Sequence, residues 1–164
     1  MYKRQVFTLY PDYFPGYLDK GLFGKSKGKE WNLEIINIRD YALDKHKTVD
    51  DTPYGGGNGM IMKADVLASS LDANVKSGEK TSYLSPRGKV FNSKLAREFS
   101  NENSINLICG HFEGVDERIL ESRNIEEISI GDFILSGGEV AAFVVIDSIL
   151  RFIPGILGLS LIHI

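Results

Sequence analysis

The stretch Ile128-Ser-Ile-Gly-Asp-Phe-Ile-Leu-Ser-Gly-Gly-Glu139 combines an apolar run with three glycines. Its apolar residues are suited to a buried strand, and its glycines allow a sharp turn or the close approach of a ligand. Ser136 and Glu139 have the Ser-x-x-Glu spacing of a capping box, which predicts that a helix begins here. The stretch is therefore either a ligand-binding bend between a strand and a helix, or a glycine-rich connection that only lets the two pack.

The composition of the 164 residues, 43% hydrophobic and 25% charged, is typical of one globular domain. A formal net charge of −3 gives no overall signal for nucleic acid, and the local cluster Lys25, Lys27 and Lys29 is more often a solvated loop. Cys109 is the only cysteine, so an internal disulfide is excluded. No apolar run reaches the roughly 18 residues that a membrane span needs, which predicts a cytoplasmic protein without a membrane partner.

Strand-like runs alternate with helical spacing along the chain. Strands are predicted at 6–9, 33–38, 81–84, 105–109 and around 128, and helices at 12–22, 64–74, from 93 to about 99, around 115–120 and at 139–152. This alternation predicts an α/β fold with a mainly parallel sheet flanked by helices. The broad apolar surface of the helix at 139–152 predicts a subunit interface. Residues 39–59 lack periodicity and are predicted to form a long loop.

Glycine-bearing bends follow three of the predicted strands, at 84–88, 109–114 and 130–138. In a parallel sheet the carboxyl ends of the strands share one edge, so we expect the three bends to converge on a common crevice. The chain has no phosphate-binding glycine motif followed by Lys and Ser or Thr, and its three histidines are scattered. These observations favour a ligand cleft without a metal site.

Longer motifs occur in order between about Val6 and Gly158. They are Arg39-Asp-Tyr, His46-Lys-Thr-Val-Asp-Asp-Thr-Pro-Tyr-Gly-Gly-Gly-Asn-Gly-Met60, Tyr83-Leu-Ser-Pro, Ile108-Cys-Gly-His-Phe-Glu-Gly-Val-Asp-Glu-Arg118, the stretch from Ser129 to Glu139, and Arg151-Phe-Ile-Pro-Gly155. Together they resemble the bacterial tRNA (guanine-N1)-methyltransferases that modify G37, beside the anticodon. The resemblance implies a SPOUT-type fold with a C-terminal trefoil knot formed by the three bends, and residues 1–164 as its S-adenosylmethionine-binding domain.

The resemblance also implies the residues of the site. It assigns cofactor binding to Tyr83, Leu84, Ser85, Pro86, Gly110, Glu113, Ser129, Ile130, Gly131, Leu135, Gly137 and Gly138. It assigns Arg151 the catalytic role of stabilising charge on the guanine O6. A side chain at Gly137 or Gly138 is expected to abolish binding, because it would strain a positive φ or occupy ligand space.

Methyl transfer to guanine N1 needs a general base, since N1 carries a proton near neutral pH. The family's base, an aspartate, and its tRNA-binding C-terminal domain lie downstream of the matched region. We therefore expect this chain to bind the cofactor and to methylate tRNA slowly or not at all. Residues 1–5 and 160–164 do not resemble the family, and we expect them to be non-native.

The resemblance further implies a homodimer, a tRNA with G37 as substrate, and magnesium as a candidate metal. An alternative is a non-catalytic dimeric module that binds S-adenosylmethionine or RNA. A third hypothesis is a nucleotide-binding fold unrelated to methylation. Binding of S-adenosylmethionine, methylation of tRNA and binding of ATP distinguish the three.

Overall fold

A computed structural model describes residues 1–53, 59–111 and 114–157. In chain order the strands are β1 (Tyr2–Thr8), β2 (Trp31–Asn37), β3 (Asp50–Asp51), β4 (Ile61–Met62), β5 (Lys80–Val90), β6 (Ser104–Cys109) and β7 (Glu126–Ser129). Five of them form one sheet in the order β2-β1-β6-β5-β7, and every neighbouring pair is parallel. Strands β3 and β4 form a separate antiparallel pair.

The helices are α1 (Gly21–Ser26), α2 (Ala64–Asn74), α3 (Ser93–Ser100), α4 (Glu117–Ser122) and α5 (Glu139–Leu150). Successive side chains of a strand point to opposite faces, so Val6 and Phe7 of β1 enter different cores. The core on the Val6 side includes residues of α3 and α5, and the core on the Phe7 side includes residues of α2 and α4. The predicted α/β fold, with a mainly parallel sheet flanked by helices, is confirmed.

The predicted helix at 12–22 is wrong. The segment instead forms two short 3-10 turns, Pro11–Tyr13 and Gly16–Asp19, before α1 begins. Gly16 and Gly21 adopt positive φ values of 56° and 58°, which interrupt a right-handed helix. The helical spacing of the apolar residues could not reveal these two interruptions.

The predicted loop at 39–59 contains regular structure. A 3-10 turn covers Ile38–Tyr41, and β3 follows at Asp50–Asp51. The glycine-rich residues 54–58 lie outside the described residues. The cap of α3 also differs from the prediction, since the Asn92 side chain, rather than Ser93, accepts a hydrogen bond from the Leu95 amide at 2.9 Å.

The pairing of β5 with β7 shapes the edge of the sheet where the site lies. Leu84 and Lys89 are both registered opposite Ile128, so residues 85–88 bulge out of the ladder. A Cβ on Gly88 would lie 2.5 Å from the backbone nitrogen of Ile128, so the bulge requires a glycine there. This bulge is the first of the three predicted bends.

Candidate functional site

The three bends meet at the carboxyl edge of the sheet and enclose a cleft of about 380 Å³. Of the twelve residues predicted to bind a cofactor, eleven lie in its lining, namely Tyr83, Leu84, Ser85, Pro86, Gly110, Ser129, Ile130, Gly131, Leu135, Gly137 and Gly138. The twelfth, Glu113, lies outside the described residues. The fold therefore brings together residues that are up to 55 positions apart (138 − 83) in the sequence.

The side chain of Tyr83 packs against the second bend at Gly110. This side chain is buried, and a Cβ on Gly110 would lie only 2.4 Å from the Tyr83 hydroxyl oxygen. Burial raises the pKa of Tyr83 to about 12, and the charge of Glu127 acts in the same direction. The phenol is therefore protonated at neutral pH, and its O–H is available as a hydrogen-bond donor.

Ser129 closes the start of the third bend. Its hydroxyl donates to the carbonyl oxygen of Gly131 at 2.9 Å and accepts from the Gly131 amide at 3.1 Å. These two short-range bonds hold the chain in a tight turn directly after β7. The Ser129 side chain thus shapes the cleft through the backbone of Gly131.

The second and third bends are in direct backbone contact. The Gly138 amide donates to the Gly110 carbonyl oxygen at 3.0 Å. A Cβ on Gly138 would lie 2.8 Å from the Cα of Cys109, and one on Gly137 would lie 2.2 Å from His111 Cε1. Of the two expected reasons for a glycine at 138, a positive φ does not apply, because φ is −79°. The contact with Cys109 shows that this glycine is required for the close approach of two chains.

The capping-box prediction is also wrong. The N-cap of α5 is Gly138, which has no side-chain cap, and Glu139 is the first helical residue. The Glu139 carboxylate accepts from Thr8 Oγ1 at 2.7 Å and lies 2.6 Å from His111 Nε2. Thr8 and His111, which are distant in the sequence, therefore contact the Glu139 carboxylate in place of the local partner that a capping box would supply.

Sequence reasoning missed part of the lining. The additional residues are Arg87, His111, Gly114, Ile128, Phe133, Ile134, Ser136 and Ala141. All but Ile128 and Ala141 lie inside the predicted bends, so their position in a bend was an available signal for them. Phe133 and Ile134 are 51% and 88% exposed, which leaves apolar surface at the mouth of the cleft.

Arg151 does not line this cleft. It is the C-cap of α5, whereas the cleft lies at the beginning of the same helix. A rise of about 1.5 Å per residue places the two ends of this helix roughly 18 Å apart. The predicted catalytic arginine and the predicted cofactor residues are therefore separate within one chain.

The sequence of the chain matches the family model described as tRNA (Guanine-1)-methyltransferase TrmD over residues 2–163. The chain belongs to the tRNA (guanine-1)-methyltransferase family. A tRNA (guanine-N(1)-)-methyltransferase of Pelagibacter ubique is 67% identical over 159 residues, covering 96% of this chain and 70% of the relative. Enzymes of the same name from Bartonella quintana and Rhizobium etli are 52% and 46% identical, each over 96% of this chain and 68% of the relative.

Membership in the tRNA (guanine-1)-methyltransferase family confirms the predicted enzyme class. Within residues 1–53, 59–111 and 114–157, no three His, Cys, Asp or Glu side chains are grouped so that they could hold a metal ion. Over the same ranges, no helix has both the length and the apolar character to cross a bilayer.

Proposed function

We propose that the cleft binds S-adenosylmethionine and that the protein transfers its methyl group to N1 of G37 in tRNA. The observation that carries this proposal is the convergence of the three bends on one sheet edge, in a chain of the tRNA (guanine-1)-methyltransferase family. Open α/β sheets typically bind ligands at this edge. The family supplies the reaction class, and the cleft supplies a place for the methyl donor.

The residues of the cleft fit this cofactor. Its volume of about 380 Å³ is within the usual range of small-molecule sites. Apolar side chains such as Leu84, Ile130 and Leu135 suit the adenine ring, and the backbone of the glycine-bearing bends offers amides and carbonyls to the polar groups. Because Gly110 and Gly138 carry no side chains, the bends can pack directly against Tyr83 and Cys109 and keep the shape of the cleft.

When bound, S-adenosylmethionine supplies a methyl group on a positively charged sulfur, suited to an in-line displacement. The three bends orient the donor, and the buried, protonated Tyr83 keeps the second bend in place. Negative charge that develops on the guanine O6 requires a nearby cation, which we assign to Arg151. The N1 proton requires a general base, which we place downstream of the matched motifs.

The separation of Arg151 from the cleft supports a homodimer. If Arg151 acts in the reaction, it must reach the cleft of a second copy, because the length of α5 separates it from its own. Val140 and Val144 are 56% and 41% exposed on α5, which leaves an apolar strip for such a copy. We therefore propose an active site that is shared between two subunits.

Three further parts of the proposal rest on the family resemblance. They are the tRNA partner bearing G37, a cytoplasmic location, and the trefoil knot formed by the bends. Magnesium has no ligand group of the required kind among the described residues, and no step is assigned to it. Tyr2–Thr8 forms β1, and the match to the family model covers residues 2–163.

The first experiment measures binding of S-adenosylmethionine to the 164-residue chain by titration calorimetry. The second measures methyl transfer to a tRNA transcript with guanine at 36 and 37, against a transcript with adenine at 37. We expect binding with slow transfer, and faster transfer after the downstream part of the Pelagibacter ubique relative is appended. Cofactor binding without transfer in both forms would favour the non-catalytic module, and binding of ATP alone would favour the unrelated nucleotide-binding fold.

A further inference from the structure

Glu139 is a buried carboxylate beside the cleft, only 2% exposed. Thr8 Oγ1 donates to its Oε2 at 2.7 Å, and His111 Nε2 lies 2.6 Å from its Oε1. Because a carboxylate oxygen only accepts hydrogen bonds, these partners assign the ring hydrogen to Nε2. Each carboxylate oxygen thus has its own donor, and we refer to Thr8, Glu139 and His111 as the carboxylate clamp.

The clamp joins three elements that meet at the cleft. Thr8 is the last residue of β1, His111 follows β6, and Glu139 is the first residue of α5. The Thr8 hydroxyl oxygen also accepts from the Tyr10 amide at 2.9 Å, which fixes its direction. The three elements are therefore tied at one point, immediately behind the lining of the cleft.

A buried carboxylate is an energetically costly way to hold these elements together. Burying a carboxylate is unfavourable unless donors surround it, and replacing a buried charge group by well-packed apolar residues is often neutral or stabilising. The amino end of α5 offsets part of this cost, since it favours negative charge. A buried carboxylate at this position therefore calls for a role beyond filling space, and its contact with His111 offers one.

That group is His111, which forms part of the cleft wall. Its ring occupies the space above Gly137, where a Cβ would lie 2.2 Å from His111 Cε1. The ring also packs against Tyr10, with centroids 4.8 Å apart. Its backbone carbonyl accepts from the Gly114 amide at 3.3 Å within the second bend, and its side chain contacts Glu139 directly after the third bend. His111 therefore connects the two bends through its side chain.

We propose that Glu139 is a positioning residue for the methyl donor, acting through His111. Thr8 orients the carboxylate, the carboxylate orients the imidazole, and the imidazole sets the spacing of the two bends that receive the cofactor. This role rests on the proposed binding of S-adenosylmethionine to the cleft. It gives Thr8 and His111 a part in cofactor affinity, and for Thr8 the position in the sequence does not indicate that part.

The test measures the Kd of S-adenosylmethionine, by calorimetry at a temperature where each variant is folded by circular dichroism. Loss of a hydrogen bond to a charged group predicts a Kd raised about tenfold or more in Glu139→Ala. Glu139→Gln keeps acceptor and shape and should fall between this variant and the wild type. Thr8→Val should raise Kd several-fold, and Thr8→Ser, which restores the hydroxyl, should return it to the wild-type value.

A double-mutant cycle separates positioning from general stabilisation. If Glu139 acts through His111, the fold-change in Kd of the double variant Glu139→Ala/His111→Ala should be much smaller than the product of the two single fold-changes. Asp147→Asn is the matched control, because it alters a half-buried carboxylate on the same helix that accepts from the Tyr17 hydroxyl. We expect its Kd to equal that of the wild type.

The rate of hydrogen exchange at the Gly138 amide reports on the effect of the carboxylate clamp in the absence of cofactor. This amide bonds to the Gly110 carbonyl, so loosening of the two bends should speed its exchange in Glu139→Ala. Wild-type Kd in folded Glu139→Ala, additive effects in the cycle, or unchanged Gly138 exchange would each overturn the clamp. Failure of the wild type to bind S-adenosylmethionine would instead overturn the proposed function, and the exchange measurement would then decide the clamp alone.

Discussion

Gly138 lies against Cys109 so closely that a Cβ on the glycine would be 2.8 Å from the Cα of the cysteine. This contact joins the beginning of α5 to the end of β6 with no side chain between them. The Cys109 thiol is fully buried, and burial, with the charge of Glu139, raises its pKa well above the usual value. The floor of the cleft is therefore set by backbone contacts and by a neutral, packed thiol.

Replacing Gly138 by Ala should impair cofactor binding while the sheet stays folded. The new methyl group meets the backbone of Cys109 and Gly110, so α5 must shift away from β6, at a cost of about 1–3 kcal/mol. Calorimetric titration with S-adenosylmethionine and urea unfolding measure the two effects. Unchanged affinity in a folded variant would contradict this prediction.

Gly78→Ala is the control for a loss of stability alone. Gly78 has a φ of 85° and open space around its Cβ position, so alanine should strain the backbone without touching the cleft. We expect it to lower the free energy of unfolding by about 1–3 kcal/mol and to leave cofactor affinity unchanged.

The sequence was sufficient to predict the sheet and the location of the cleft. Short apolar runs at 105–109 and around 128 predicted buried strands, and the glycine-bearing bends after them were expected to share the carboxyl edge of a parallel sheet. Both inferences depend on local composition and on one general rule of α/β topology. That is why Gly110, Gly131 and Gly138 could be placed together although they are distant in the sequence.

The side-chain partners at the cleft could not be predicted in the same way. Ser136 and Glu139 have the spacing of a local cap, but Glu139 bonds instead to Thr8, which is 131 positions away. Competition between a local and a distant partner depends on the three-dimensional arrangement, which spacing does not encode. Gly16 and Gly21 show the same limit, because helical periodicity in apolar residues does not report a positive φ.

Replacing Asn106 by Ala should destabilise the fold from the middle of the sheet. Asn106 Oδ1 accepts from Gln5 Nε2 at 2.9 Å, and both residues are buried between β1 and β6. The variant leaves a buried amide short of one acceptor, which costs about 1–3 kcal/mol in the free energy of unfolding. Urea unfolding of Asn106→Ala beside the exposed control Asn103→Ala measures this cost, and equal stability of the two would refute it.

Stability at acid pH should depend on Asp116. Hydrogen bonds from the Arg118 side chain and amide lower the pKa of Asp116 from 3.8 to about 2. A carboxyl whose pKa is lower in the folded state contributes stability above its unfolded pKa and loses it as the pH falls from about 4 to about 2. Asp116→Asn should therefore be less stable than the wild type near pH 6, and the difference should shrink toward pH 2. A constant difference across this range, measured by urea unfolding, would be inconsistent with the role given to Asp116.

Replacing Val144 by Glu should dissociate the proposed homodimer without unfolding the subunit. Val140 and Val144 are one helical turn apart on α5, and both are substantially exposed in the single chain. A charge buried against a second copy is strongly unfavourable, whereas the same charge in water costs little.

Val90→Glu is the matched control, because Val90 is 65% exposed on β5, outside α5. Sedimentation at micromolar concentration should show a dimer for the wild type and for Val90→Glu, and a folded monomer for Val144→Glu. Since Arg151 lies at the far end of α5 from its own cleft, Val144→Glu should also abolish methyl transfer in the form that carries the appended downstream part, while measurable cofactor binding remains. A wild type that sediments as a stable monomer would contradict the proposed homodimer. A Val144→Glu variant that remains dimeric would show that the apolar strip of α5 does not form the interface.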